Sequence, residues 1–430
     1  MLTVDSLKGS ILFLLFVVIV QVKAIAQDLH LDGYSLVVSD SSTIYVPGQF
    51  KLSDNVSEPH IYLDGKILLK GNLINNSHSN VFSGIESVPD GDFIMCGNYL
   101  QSIEGDYPLE FENLVLNNYR KNLELNNCKI DGILNVDAEL DLNNKMLTIN
   151  NPSPQAIVYK SEFIKSETPP DEGLSKIEWI VGNSSGSFTI PFGTGYDTVA
   201  DVEMKINIHS VPNPSAGKIV FATYPSIIEN KPLPDAVNIL PSKATFIADR
   251  YWIIDADYPV KPETDIEFKY TDADVDSQSN PFINKDSLKA YRFNSNIFEW
   301  NDWSPLCKSI PSEKKVVTGT IDGQNLFSTW LLQNKENQLN YYMPNAFSPN
   351  GDGLNDTFGP VFDIIPKSYK LYILDRWKYD IFYTDNPLEK WDGKDYKNIL
   401  QQSGIYIWIV QAIDEYGNEY SANGHVMLLR

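Results

Sequence analysis

The chain has 430 residues, with 34 Lys and Arg against 56 Asp and Glu, a formal net charge of −22. That balance offers no basic footprint for a phosphate backbone and argues against nucleic acid, and equally against anionic membrane surfaces. The length allows two to four domains. The cysteines, Cys96, Cys128 and Cys307, are odd in number and form no Cys-x-x-Cys or Cys/His cluster, so zinc is not expected and buried small hydrophobes are. Cys96 and Cys128 lie in one region and could meet, but their spacing does not demand it.

Residues 1–26 read as a signal peptide. Lys8 gives a charged start, Ile11–Val20 is an apolar run, and Ala24-Ile25-Ala26 fits a small-x-small cleavage site before Gln27. The apolar run is short of the about 18 residues a spanning helix needs, and no later segment approaches that length. No transmembrane segment is expected in the mature chain.

Residues 27–155 are short apolar runs of period two. Leu114 and Leu116 alternate, as do Leu123 and Leu125, Leu134 and Val136, Leu140 and Leu142, and Leu147 and Ile149. Asparagine pairs punctuate them at Asn117-Asn118, Asn126-Asn127, Asn143-Asn144 and Asn150-Asn151. Asn tolerates left-handed backbone better than most L-residues. Two inward residues per strand, separated by Asn turns, predict a parallel β-helix-like solenoid with one shared aliphatic core. An antiparallel sandwich has the same period and stays open. Asp131, Asp137, Glu139 and Asp141 lie close together, as a carbohydrate-cleaving site on a β-helix would require. Their alternation with apolar neighbours also describes a solvated face, and the basic residues standing nearby are Lys129 and Lys145.

Residues 156–333 are richer in aromatics. Trp179–Gly182, Ser187–Gly193, Arg250–Ile254, Ile266–Tyr270 and Leu288–Phe293 read as strands of a central β-sandwich with long, Pro-rich connections at 166–173 and 232–241. Gly182-Asn183-Ser184-Ser185-Gly186 matches Gly-x-Ser-x-Gly, but a nucleophile elbow needs a helix after the serine and Ser187–Ile190 reads as a strand. A hairpin turn is expected there. Asp272, Asp274 and Asp276 fit the first positions of a calcium loop, yet Ser277 replaces its Gly and Ile283 its Glu. An acidic hairpin loop is expected instead. Tyr291, Trp300 and Trp303 could face sugar rings but read as core aromatics.

A polar linker, 334–340, leads into residues 341–430. Pro344, Asn345, Phe347, Pro349, Asn350, Gly351, Asp352, Gly353, Asn355 and Asp356 form consecutive tight turns, because Asn-Gly and Asp-Gly favour positive φ. Asn350, Asp352 and Asp356 also offer hard oxygen ligands, so the turn is either capped by its own side chains or a calcium loop. About seven short strands follow, the pattern of a small immunoglobulin-like sandwich. This stretch resembles the type B sorting domain of the type IX secretion system, also called the gliding motility-associated C-terminal domain. Its Pro-Asn-x-Phe-Ser/Thr-Pro-Asn-Gly-Asp-Gly-x-Asn-Asp opening is matched by Pro344–Asp356. Its Trp-Asp-Gly is matched by Trp391, Asp392 and Gly393, its Gly-x-Tyr by Gly404 and Tyr406, and its ending by Gly424, Val426, Leu428 and Arg430. Arg376 and Trp377 match the family's Asn-Arg-Trp/Phe-Gly, but Lys378 stands where that pattern has Gly.

The expected fold is all-β: an N-terminal solenoid, a central sandwich and a sorting sandwich. The resemblance implies an exported cell-surface or secreted protein, carried through the periplasm, whose tail is read by the type IX outer-membrane machinery. Contact is expected by strand addition, at an exposed sheet edge or at the terminal Val426–Arg430 strand. A structural or adhesive role without catalysis, metal or cofactor is the primary expectation. The alternative is a carbohydrate-active enzyme or glycan-binding protein on the β-helix scaffold.

Overall fold

A computed structural model describes residues 27–430 except 79–81, 84–90, 126, 166, 168–174, 195–199, 212–216, 228, 232, 235–236, 241–243, 277–279, 281–282, 303–306, 327–328, 335–338, 340, 363 and 415–416. The leader expected at 1–26, Trp303, most of the 166–173 connection and most of the 334–340 linker lie outside the described residues. Chain contacts divide the rest into two units: 27–241 with 248–277 and 288–332, and 242–247 with 278–287 and 333–430.

The first unit begins as a parallel solenoid. Successive strand triplets run from Leu29–Asp32 to Ile157–Tyr159, and strands pair in parallel with their counterparts one coil on, except that Phe82–Ser83 ends one sheet and Leu109–Phe111 begins another. The antiparallel alternative for this region therefore falls. Ile67, Phe93, Leu114, Leu134 and Ile157 stack in register as one buried ladder. Fully burying each such side chain stabilises the fold by about 1.5–3 kcal/mol. Phe50, Phe82, Phe93 and Phe111 pack ring on ring inside the coils, with centroids 5.1–6.2 Å apart. Cys128 is a rung of another ladder, between Leu109 and Leu147. Burial pushes its thiol up to about 12, so it packs as a small hydrophobe. Cys96 is also buried, and Cys96 and Cys128 do not pair with each other.

The asparagines act in two ways. Asn118, Asn127, Asn143 and Asn144 have φ of +72°, +55°, +46° and +61°, the left-handed backbone that turns the corner between faces. Asn150 and Asn151 instead tie coils together. Asn150 Nδ2 donates to Asp131 Oδ1 at 2.7 Å, and Asn151 Nδ2 to Gly132 O at 3.0 Å.

Residue 155 marks no break in hydrogen bonding. The solenoid face formed by Leu109–Phe111, Cys128–Ile130, Met146–Ile149 and Lys176–Gly182 continues as one nine-stranded sheet. Its added strands, from Gly217–Pro225 and Ile247–Asp257 onward, run antiparallel. A five-stranded antiparallel sheet built on Gly186–Ile190, Met204–Ser210 and Glu263–Lys269 covers it. Trp179 meets Phe188 across the two layers, and Phe268 meets Trp252 and Trp330. The Gly182–Gly186 turn is thus not a hairpin: it carries the chain from one sheet to the other, with both glycines at positive φ. Tyr291 is buried, and Trp300 donates Nε1–H to Ile239 O at 2.5 Å.

In the second unit, a five-stranded sheet has the order Ala346–Phe347, Glu419–Leu428, Gly404–Ile413, Ser368–Leu374, Asp380–Thr384. A short pair, Tyr341–Tyr342 with Val361–Phe362, lies over it through the Phe362–Tyr369 ring contact at 5.5 Å.

Candidate functional site

The tail's motif residues come from five separated stretches, and Phe347 and Tyr406, from two of them, pack on Trp391. Its side chain has no exposure. Its ring lies 5.1 Å from Phe347 and 4.9 Å from Tyr406, and its Nε1–H donates to Lys394 O at 2.7 Å. A backbone bridge joins Trp391 to Phe358. Gly393 takes φ +80°, and a Cβ there would come within 2.8 Å of Leu428 and 3.1 Å of Pro349. Arg430 closes the end: Nε donates to Gln401 O at 2.9 Å and Nη2 to Gly393 O at 3.0 Å. Gly424 lies under the Trp408 indole, where a Cβ would approach to 2.5 Å. Gly404 has open space around it and meets no such constraint.

The Asn350–Asp356 turn spends its carboxylates on its own backbone. Asp356 accepts from Gly351 N at 2.7 Å and Gly353 N at 2.8 Å. Asp352 accepts from Leu354 N and from Asn350 Nδ2, each at 2.8 Å. The Asn350 side-chain bond and the Leu354 amide hold the Asp352 carboxyl below its ordinary range. Asn350 Oδ1 in turn accepts from Asp352 N, and Asn355 sits at φ +52°. Asp392 pairs with Lys394 at 2.7 Å.

The terminal strand is not open for strand addition. Met427 N donates to Asn345 O and Leu429 N to Phe347 O, which closes that stretch on the side away from Gly404–Ile413. Asp380–Thr384 is the sheet's outer strand at the opposite edge.

Three hairpin turns in this unit share one geometry. Asp375, Asp395 and Asp414 each accept from the amide three residues on and donate to the carbonyl four residues on. The residue at the third step is left-handed in all three: Lys378 at +67°, Asn398 at +59° and Gly417 at +86°. Lys378 thus takes the left-handed backbone that Asn398 and Gly417 take in the other two turns, and bears its strain. Left-handed backbone costs an L-residue about 1–2 kcal/mol. Lys378→Gly is expected to stabilise the unit by about 1 kcal/mol, read as a rise of about 5 °C in its thermal transition.

In the first unit, each of the four solenoid carboxylates has a partner. Asp131 is held by Asn150, Asp137 by Lys160 at 3.6 Å, Glu139 by Arg120 at 3.0 Å and Asp141 by Lys165 at 3.0 Å. The ion-pairing cations are Arg120, Lys160 and Lys165, while Lys129 pairs with Glu110. The Asp141–Lys165 pair is buried on both sides and spans two stacked coils. Lys121 is also buried and donates Nζ–H to Asn117 O at 2.8 Å and to Tyr119 O. Desolvation pushes its ammonium down to about 8.

Asp272, Asp274 and Asp276 correct the expected hairpin loop. They lie on and beside a one-turn helix, Asp272–Val275, capped reciprocally by Thr271 and Asp274. Asp274 turns inward to Arg250 Nε at 3.1 Å, while Asp272 pairs with Lys314 at 2.6 Å. Arg250 also reaches Glu167 at 3.1 Å. Desolvation holds Glu167 above the ordinary carboxylate range, opposed by Arg250. These residues adjoin a cleft of about 610 Å³ lined by Asp201, Lys269, Tyr270, Asp272 and Lys314, with Arg250 and Asp274. No signal in the sequence marked Glu167, Arg250 or the cleft. Among the described residues, no group of three His, Cys, Asp or Glu could hold a metal ion, and no helix is long and apolar enough to cross a membrane.

The tail packs a core of its own around Phe347, Trp391 and Tyr406. Residues 341–428 match the family model of the CHU_C Type IX secretion signal domain. The tail is therefore a type B sorting domain, and the protein is exported by the type IX machinery to a secreted or outer-surface location. A comparison with curated proteins gave no match.

Proposed function

We propose that this chain is a non-catalytic structural or adhesive protein of the cell exterior. It crosses the periplasm before residues 341–430 are read at the outer membrane. The observation that carries the export half is the match of residues 341–428 to the type IX secretion signal domain. The structural half is supported by the continuous sheet that fuses solenoid to sandwich, and by solenoid carboxylates that are tied to partners. Deleting Met343–Arg430 is expected to strand the protein in the periplasm. Normal export of that truncation would refute the sorting role. The polar cleft supports a second reading, a glycan-binding body, which a glycan array probed with the full chain tests.

A further inference from the structure

Most motif residues of the tail are used up by its own fold. Phe347, Trp391, Tyr406, Val426 and Leu428 make the core, and Gly393 and Arg430 lock its end. The hairpin tip Asp375–Tyr379 differs. Trp377 and Tyr379 are each 71% exposed. The Arg376 guanidinium stacks over the Trp377 ring at 5.8 Å from its centroid. Neither Arg376 nor Lys378 forms a salt bridge among the described residues, whereas Asp375 and Asp380 are bound by backbone amides and by Tyr396 respectively.

We propose that this tip is the docking element of the sorting domain. Its partner would be a protein of the export machinery with an acidic pocket that accepts two aromatic rings. The inference rests on the sorting role proposed above. Three properties carry it. The tip is already ordered: Asp375 accepts from Trp377 N at 2.8 Å and Tyr379 N at 2.9 Å, and two backbone bonds close the turn. Little backbone entropy is left to lose on binding. Its composition, Trp, Tyr and Arg, is the one that dominates binding energy at interfaces. Its free cations complement an acidic pocket, while the −22 charge of the chain as a whole is repelled by one. The outward residues next to the tip extend the apolar contact: Leu374 pairs with Ile407, and Ile405 with Met427. The strained Lys378 fits the same reading, since Gly there would relax the turn but remove a cation.

The test uses the full chain in a host with a working exporter. Four variants are compared: Trp377→Ala with Tyr379→Ala, Arg376→Glu with Lys378→Glu, Phe298→Ala as an exposed aromatic on the body, and the Met343–Arg430 deletion. Exported fraction and the thermal transition of the tail are measured for each. Both tip variants are expected to lose at least about tenfold in export, the step that 1.4 kcal/mol of binding represents. Their tail transitions should stay as in the parent, and Phe298→Ala should export normally. Tip variants that fold and export normally, while the deletion is blocked, overturn the tip and leave the sorting role standing. Export of the deletion itself overturns the sorting role. If the double alanine variant misfolds, the charge-reversed pair, whose side chains form no salt bridge among the described residues, decides. Binding of the full chain to anionic vesicles, lost in Trp377→Ala, would overturn the protein pocket in favour of a lipid surface.

Discussion

Trp391→Ala is expected to abolish export and leave the body folded. The indole contacts Phe347 and Tyr406, and its N–H satisfies Lys394 O, so truncation leaves a cavity and an unpaired carbonyl. Removing a buried Trp costs about 3–5 kcal/mol. Domains of this size carry about 5–15 kcal/mol in all, so the tail would be marginal or unfolded at growth temperature. Limited proteolysis of the periplasmic fraction should show the tail digested and the body resistant. A variant that is exported with its tail digested would sink the claim that the folded label, and not its sequence alone, is what the machinery reads. Gly424→Val should act in the same direction, since its side chain would displace the Trp408 indole.

Arg250→Met is expected to give the largest loss of stability in the body. Its guanidinium is buried and pairs with two carboxylates, Asp274 and Glu167, at the wall of the cleft. Breaking a buried pair by removing one partner costs about 3–5 kcal/mol, because charge is left without compensation. The body's thermal transition should fall by roughly 10 °C, with the tail's unchanged. Glu167→Gln should cost much less. Burial already holds the Glu167 carboxyl above its ordinary range, so its ionised form is disfavoured and Asp274 still balances the arginine. The sign with pH follows: a carboxyl raised in the folded state contributes stability at low pH that is lost as pH rises through its folded value. Glu167→Gln should flatten that part of the body's pH–stability curve. An equal loss in both variants would show that geometry, not charge balance, holds the site.

The order of these elements was legible where a short window carries the physics. Alternating leucines marked solenoid strands because period two needs only neighbours. Asn118, Asn127, Asn143 and Asn144 marked its corners because positive φ is a local property. The tail was legible from Pro344–Asp356, Trp391–Gly393 and Gly424–Arg430, each a turn or strand with its own chemistry. The tertiary structure decided what no window holds. It fused the solenoid face to the sandwich, turned Gly182–Gly186 into a passage between sheets, and closed the terminal strand against Ala346–Phe347. It also drew Asp274 to an arginine 24 residues away and Glu167 to the same arginine from 83 away. Desolvation and long-range pairing depend on which distant segments meet, and that is settled only when the chain closes on itself.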